Sequence, residues 1–288
     1  MRPSTGLQIS TCIDAPAVRD HLVDWLGTYL ESAGLKGWVV GVSGGIDSAV
    51  VSSLLALTGR PVHLMRLPIH QLAVQDERGA QHIAALESDH PLVSSSCVDL
   101  SGSFDHWKAD FESAEVALSA LGEANARARI RMTTLYAAAA EHSALVVGTG
   151  NRVEDFGVGF FTKYGDGGVD LSPIADLYKS EVFALGAALG VAREILEAAP
   201  TDGLWGDDRT DEDQLGASYD ELEWAMEQCA LNTSAEQTSG ANDPAQGSSG
   251  RAAEVMAIFQ RLNRANLHKM RPIPICKIPS SFRSAMRT

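Results

Sequence analysis

The sequence predicts an α/β protein with a doubly wound, mainly parallel sheet and flanking helices. Three observations carry that expectation. The stretch Trp38 to Ser48 (WVVGVSGGIDS) passes from an apolar, β-branched strand through a glycine turn into a helix. Further short β runs alternate with longer helical segments, a pattern that calls for right-handed crossovers between parallel strands. A fourth run, Ala144 to Val147, again ends in glycine at Gly148-Thr149-Gly150, so ligands are expected where the first and fourth strands end.

Taken in order, residues 1–14 carry no periodic signal and read as a loose arm. Ala15 to Ala33 is an amphipathic helix with Val18, Leu22, Val23, Leu26, Tyr29 and Leu30 on one stripe, and Gly34 ends it. After the first strand, Ile46, Ala49, Val50, Leu54 and Leu57 recur at three- and four-residue spacing and predict a helix from Ile46 to Leu57. Val62 to Leu67 is a second strand, closed by Pro68. Arg66 then lies at the carboxyl edge of the sheet, either facing a ligand or as a solvated arginine on the rim. Val74 to Leu86 is a helix, Leu92 to Val98 a strand weakened by its serines, and Phe104 to Leu118 a further helix. Glu123 to His142 is a long helix whose alanines, Ala137 to Ala140, suit a close helix contact, between subunits or within an ordinary core. Thr201 to Asp213, with Gly203, Gly206 and five aspartates, reads as a mobile loop that closes over a ligand or as an acidic linker. Tyr219 to Leu231 and Arg251 to Leu267 are helices. The polar, small-residue stretch 232–250 between them is expected to be disordered, and 271–288 is a proline-containing basic tail with Arg271, Lys277, Arg283 and Arg287. The chain is expected to form one domain over 1–288.

Composition narrows the function. The 288 residues are 45% hydrophobic, ordinary for a globular protein, and no apolar run approaches the roughly 20 residues of a membrane span. The N-terminus lacks a signal-peptide core, so no membrane partner and a cytoplasmic location are expected. Cys12, Cys97, Cys229 and Cys276 lie far apart, which suggests neither a zinc site nor a disulfide framework. With 37 acidic against 23 basic residues the net charge is −14, which disfavours nucleic acid as a partner.

The turn itself points to phosphate. Gly44-Gly45 lets backbone N–H groups converge beside the free amides of the helix start, where the macrodipole favours an anion. Asp47 on that first turn competes for the same positive end. A polyphosphate bound here therefore calls for an intervening divalent cation, and magnesium takes one or two carboxylates plus substrate phosphates. No Walker motif is present. Gly41-Val42-Ser43-Gly44-Gly45 also fits the G-x-S-x-G nucleophile elbow of α/β hydrolases, with the late His268 as base, and a plain tight turn is the third possibility.

SGGIDS resembles the pyrophosphate loop of the N-type ATP pyrophosphatases, which split ATP between the α and β phosphates and pass AMP to an acceptor. Residues 148–179, GTGNRVEDFGVGFFTKYGDGGVDLSPIADLYK, resemble the signature of the NAD synthetases, and FTKYGDGG is far more specific than the loop. Thr201-Asp202-Gly203-Leu204-Trp205, the run TDEDQLGASY at 210–219 and His268-Lys269 continue the resemblance, which spans about residues 15 to 272. A GMP-forming synthetase would share SGGIDS but not FTKYGDGG, and a hydrolase would share only the elbow.

The resemblance implies a Rossmann-like fold of the adenine nucleotide alpha hydrolase type. It also implies the amidation of nicotinate adenine dinucleotide (deamido-NAD) to NAD with ATP, ammonia and magnesium, in a homodimer. By resemblance, Gly41, Val42, Ser43, Gly44, Gly45, Ile46, Asp47 and Ser48 hold the departing pyrophosphate, and Asp47 and Glu154 are the magnesium carboxylates. Thr149, Lys179 and Thr201 contact ATP phosphates or ribose, with Lys179 as the point charge on the transition state, and Arg66, from its place at the sheet edge, is a further candidate for ATP. Arg129, Lys163, Asp170, His268 and Lys269 hold the dinucleotide, and Asp166 binds ammonium and helps deliver ammonia. Two departures stand out. Gly150-Asn151 replaces the Asp-His pair of many ammonia-only bacterial members and is more like the glutamine-using branch, and the spacing from Glu154 to Phe160-Phe161 is one residue longer. Only fourteen residues precede the first helix, so no amidase domain with a catalytic cysteine is expected and free ammonia is the expected donor.

Overall fold

The structure, a computed structural model, describes residues 6–9, 12–71, 73–201, 203–204, 209–239 and 250–282. Four strands, β1 (Gly37–Gly41), β2 (Val62–Arg66), β3 (Val93–Cys97) and β4 (Ala144–Val146), form a parallel sheet in the order β3-β2-β1-β4. Trp38 pairs with Val62 on one side and Leu145 on the other. The chain order reverses between β1 and β4, so the crevice expected for ligands opens beyond their carboxyl ends.

Burial explains why β1 was so legible. Trp38, Val40 and Val42 face one core with α1 (Ala15–Ala33), α2 (Ile46–Leu57) and α6 (Lys179–Ala188), while Val39 faces a second core with Val146 under α5 (Ala120–His142). A strand buried on both faces reads as a continuous apolar run. At β3, by contrast, Ser94 and Ser96 hydrogen-bond to the two ring nitrogens of His63 on β2 at 3.0 Å each, which is how a serine-rich strand holds an edge. The expected helix spans shift at their ends: α3 covers Ala73–Asp89, and α4 covers Ser101–Ser113 rather than running to Leu118, because Glu115 takes a left-handed φ of 56°. The alanines of α5 pack on the sheet, with Ala139 buried and Ala137 and Ala140 exposed.

A third apolar cluster lies beside the sheet. It joins Val153 and Val158 to α8 (Asp211–Leu215), α9 (Tyr219–Ser239) and α10 (Arg251–Met270) through Leu215, Leu222, Met256 and Phe259. Leu7 and Ile9 pack against it and Gln8 donates to Asp220, so this part of the expected loose arm is docked. Helix α9 runs to Ser239, eight residues into the stretch expected to be disordered, and 240–249 lie outside the described residues. The loop expected at 201–213, of which 202 and 205–208 lie outside the described residues, runs into α8, capped by Thr210, and the tail at 271–280 is exposed. Helices α6 and α7 (Arg193–Leu196) were not anticipated, because the run KSEVFALGAA shows no strong stripe and opens on a buried lysine. Among the described residues, no helix is long and apolar enough to cross a membrane.

Candidate active site

The SGGIDS turn is shaped by one glycine above all. Gly44 has φ +85°, and a Cβ there would lie 2.3 Å from the carbonyl of Gln75 on α3. Both the left-handed backbone and the close approach exclude a side chain. Around it the hydroxyls lock the turn: Ser48 Oγ accepts from the Ser43 amide at 3.2 Å and donates to Gly45 O at 3.0 Å, while Ser43 Oγ lies 3.2 Å from Ser48 Oγ. Asp47 then stands on the first turn of α2.

The loop after β4 meets this turn. Asn151 is fully buried; its Oδ1 accepts from the amides of Val153 and Glu154, and its Nδ2 donates to Asp47 Oδ1 at 3.0 Å. Residues Val153–Val158 form a π-helical segment, whose turn takes one residue more than an α-turn. Gly150 also has a reason to be glycine: a Cβ there would sit 2.2 Å from a carboxyl oxygen of Asp155.

From the start of α6, Lys179 reaches into the junction. Its Nζ lies 2.6 Å from Asp47 Oδ2 and 2.9 Å from Glu154 Oε1, with the side chain 4% exposed. The Tyr219 hydroxyl donates to Glu154 Oε1 at 2.6 Å and lies 3.1 Å from Asp211 Oδ2, and the Tyr219 ring faces Lys179 Nζ at 4.8 Å. Burial alone would discharge Lys179, but the carboxylates of Asp47 and Glu154 outweigh it and hold the ammonium firmly protonated. Burial also pushes Asp47 up, and its neighbour Glu154 adds to that despite the lysine. Glu154, buried too, is carried below its usual range by Lys179 and the Tyr219 hydroxyl.

These groups line a cavity of about 280 Å³ together with Thr149, Asp155, Asp166 and Thr201. Burial and then the charges of Glu154, Asp166 and Asp47 raise Asp155 to about 8. Asp166, enclosed by the pocket walls although its side chain faces the open cavity, is raised to about 6 by desolvation and accepts from the Thr162 amide at 2.9 Å. Asp47, Asp76, Glu154, Asp155, Asp166 and Asp211 line this cavity against the cations Lys179, Arg78 and Arg131, so carboxyls outnumber cations even with Asp155 holding its proton at neutral pH, a setting that favours a further bound cation. Among the described residues no group of three or more His, Cys, Asp or Glu is arranged to hold a metal. The donor set nevertheless suits magnesium, which needs one or two carboxylates and takes its remaining oxygens from phosphates and water. Asp47 and Glu154 already close on one cation, the Lys179 ammonium.

Of the dinucleotide residues, four gather at a second place. Arg129 donates to Lys163 O at 3.3 Å, Lys163 Nζ to His268 O at 2.9 Å, and Lys269 Nζ to Phe161 O at 2.6 Å. Asp166 lies between this cluster and the cavity, close enough to act electrostatically on Lys269. Asp170 stands apart, accepting from Tyr136 at 3.0 Å and from the Val146 amide at 2.8 Å, where it pins the following turn to the sheet. Arg66 turns to Asp76 at 2.6 Å, and it is Asp76 that lines the cavity. The hydrolase dyad is not assembled, since Ser43 pairs with Ser48 while His268 Nδ1 contacts Ala265 O. Asn151, Asp155, Asp211 and Tyr219 were missed, although all lie within the matched motifs, because spacing alone does not show which member of a motif turns inward. Tyr219→Phe keeps the ring under Lys179 but removes the donor to Glu154. It is expected to lower kcat about fivefold and stability by about 1 kcal/mol, read by steady-state assay and thermal melts.

A model of NAD synthase matches residues 18–272. The chain belongs to the NAD synthase family. It is 39% identical over 218 residues to an NH(3)-dependent NAD(+) synthetase of Methanococcoides burtonii, covering 75% of this chain and 80% of that one. Similarity to the enzyme of the same name from Alkaliphilus oremlandii is 35% identity over 269 residues, with 90% and 96% covered. The solved NMN synthetase of Francisella tularensis superposes with a TM-score of 0.75 at 30% identity, covering 92% of this chain and all of that one. The family's fold, a parallel sheet with flanking helices, is the one the sequence predicts.

Proposed function

We propose that this cavity joins ammonia to the carboxyl group of nicotinate adenine dinucleotide through an adenylated intermediate, releasing AMP and pyrophosphate. As a member of its family the chain is a ligase that forms a carbon–nitrogen bond, and ammonia-dependent NAD synthesis is its activity. Neither a GMP-forming synthetase nor a serine hydrolase is favoured. The observation that carries the mechanism is the ion triad of Lys179, Asp47 and Glu154, where the loops after β1 and β4 converge.

A carboxylate is a poor electrophile, so it must first take an adenylyl group. That step brings two anions together, and positioning with charge neutralisation dominates it. The glycine turn and the Ser43 and Ser48 hydroxyls receive the pyrophosphate end of ATP, while Thr149 and Thr201 line the route to the ribose. Asp47 and Glu154 would hold magnesium, which supplies Lewis-acid neutralisation of the phosphate oxygens. Lys179, which stands between these two carboxylates, would place its charge on the transferring phosphate. Arg129, Lys163, His268 and Lys269 orient the dinucleotide, and Asp166, between the two sites, receives the ammonium and its departing proton. The family resemblance supports a homodimer.

Purified protein is expected to convert the dinucleotide, ATP and magnesium to NAD with ammonium but not with glutamine, releasing AMP and pyrophosphate. Nicotinate mononucleotide, offered in parallel because of the Francisella neighbour, is expected to be the poorer acid. Release of ADP and orthophosphate would overturn the adenylation mechanism.

A further inference from the structure

The cations on the cavity wall are not equally engaged. Lys179 is held by Asp47 and Glu154, and Arg131 donates to Leu67 O and to Gln71 Oε1 at 2.9 Å each. Arg78 on α3 differs: its Nε is sealed from solvent and has no hydrogen-bond partner among the described residues. An N–H buried without an acceptor costs free energy, and where one persists a ligand is a natural source of the acceptor.

The position fits an anion at the pyrophosphate turn. Helix α3 is pressed against that turn, since a Cβ at Gly44 would lie 2.3 Å from Gln75 O and 3.0 Å from the amide of Gly79. Residue 78 therefore springs from backbone in contact with the loop, and Arg78 lines the same cavity as the loop. The same side chain lines a second cavity of about 230 Å³ between α2, α3 and the turn at 189–195. Arg78 thus stands between two cavities, one of them the cavity of the pyrophosphate turn.

We infer that Arg78 is a further pyrophosphate-binding residue of this enzyme, turning toward the β and γ phosphates of ATP and holding pyrophosphate as it leaves. The inference rests on cleavage between the α and β phosphates as proposed above. When an oxygen of the substrate carboxylate bonds to the α phosphorus, the bond from that phosphorus to the bridging oxygen breaks. The electron pair stays on pyrophosphate, whose negative charge grows just where Asp47, Glu154, Asp155 and Asp166 already crowd the cavity. A planar guanidinium can grip two phosphate oxygens at once and offset that charge.

The test compares Arg78→Ala and Arg78→Lys with the wild type by calorimetric titration of inorganic pyrophosphate with magnesium, by steady-state kinetics and by melting. The alanine variant is expected to bind pyrophosphate at least about tenfold more weakly and to raise KM for ATP similarly. KM for the dinucleotide and Tm stay at wild-type values, and lysine recovers part of the loss. Pyrophosphate affinity unchanged within about twofold in the alanine variant overturns the role of Arg78 while leaving the reaction intact. Equal rises in both KM values with a lowered Tm overturn it too, since they mark a structural residue. A wild-type protein that binds no pyrophosphate and releases no AMP sinks the adenylation mechanism itself.

Discussion

Asp47→Asn is expected to lower kcat for AMP formation at least about a thousandfold, while Tm moves by no more than about 2 °C. The two effects separate for a structural reason. Asparagine keeps an oxygen for the Asn151 donor now 3.0 Å from Asp47 Oδ1, so the tie between the loops after β1 and β4 survives. Lys179 keeps Glu154 at 2.9 Å, so no buried charge is left without a counter-charge. Removing one carboxylate also relieves its repulsion with Glu154, which helps push Asp47 up. What disappears is half of the charge that would hold magnesium against the phosphates. Single-turnover AMP release at increasing magnesium is the measurement. Unchanged turnover with an unchanged magnesium dependence would show that Asp47 only positions Lys179.

The β1 and α2 half of this site was legible because local rules and tertiary need coincide there. The apolar run at 38–42 is a strand buried on both faces, and Gly44 is required twice over, by its φ and by the carbonyl of Gln75. Elsewhere they do not coincide. Lys179 opens a helix and is buried, a placement no amphipathic pattern announces, yet it ties the centre together. Asp170 has the residue type of a ligand-binding acid but spends both oxygens on Tyr136 and Val146. Arg66 stands at the predicted sheet edge and pairs with Asp76 instead. Tyr219 meets Glu154 across 65 positions of sequence, and only packing of α9 on the π-helical segment brings them together.

The loop at Gly150-Asn151 has a structural account. Asn151 accepts from the amides of Val153 and Glu154 at the start of the π-helical segment and braces Asp47. Gly150 leaves the space against which the carboxyl of Asp155 lies.

Lys179→Met carries the second large effect, and it tests the cation site from the other side. In the free enzyme the lysine, 4% exposed, is the counter-charge for Asp47 and Glu154, which are 18% and 17% exposed. Methionine fills the space of the stem and leaves the two carboxylates facing each other. Breaking a buried pair in this way costs about 3–5 kcal/mol, a fall of roughly 6–20 °C in Tm for a chain of this size, reduced to the extent that the pair takes up a proton. Magnesium is expected to return most of that loss to the variant, because a divalent ion satisfies the same two carboxylates, and to raise the wild-type Tm far less, because there it competes with the ammonium. Activity does not return with stability. The charge on the transferring phosphate is gone, and kcat remains at least about a hundredfold down at saturating magnesium. The double variant with Asp47→Asn should lose the magnesium rescue altogether. If magnesium lifts the melting curves of Lys179→Met and wild type equally, the two carboxylates do not hold a divalent ion, and their function is confined to gripping the lysine.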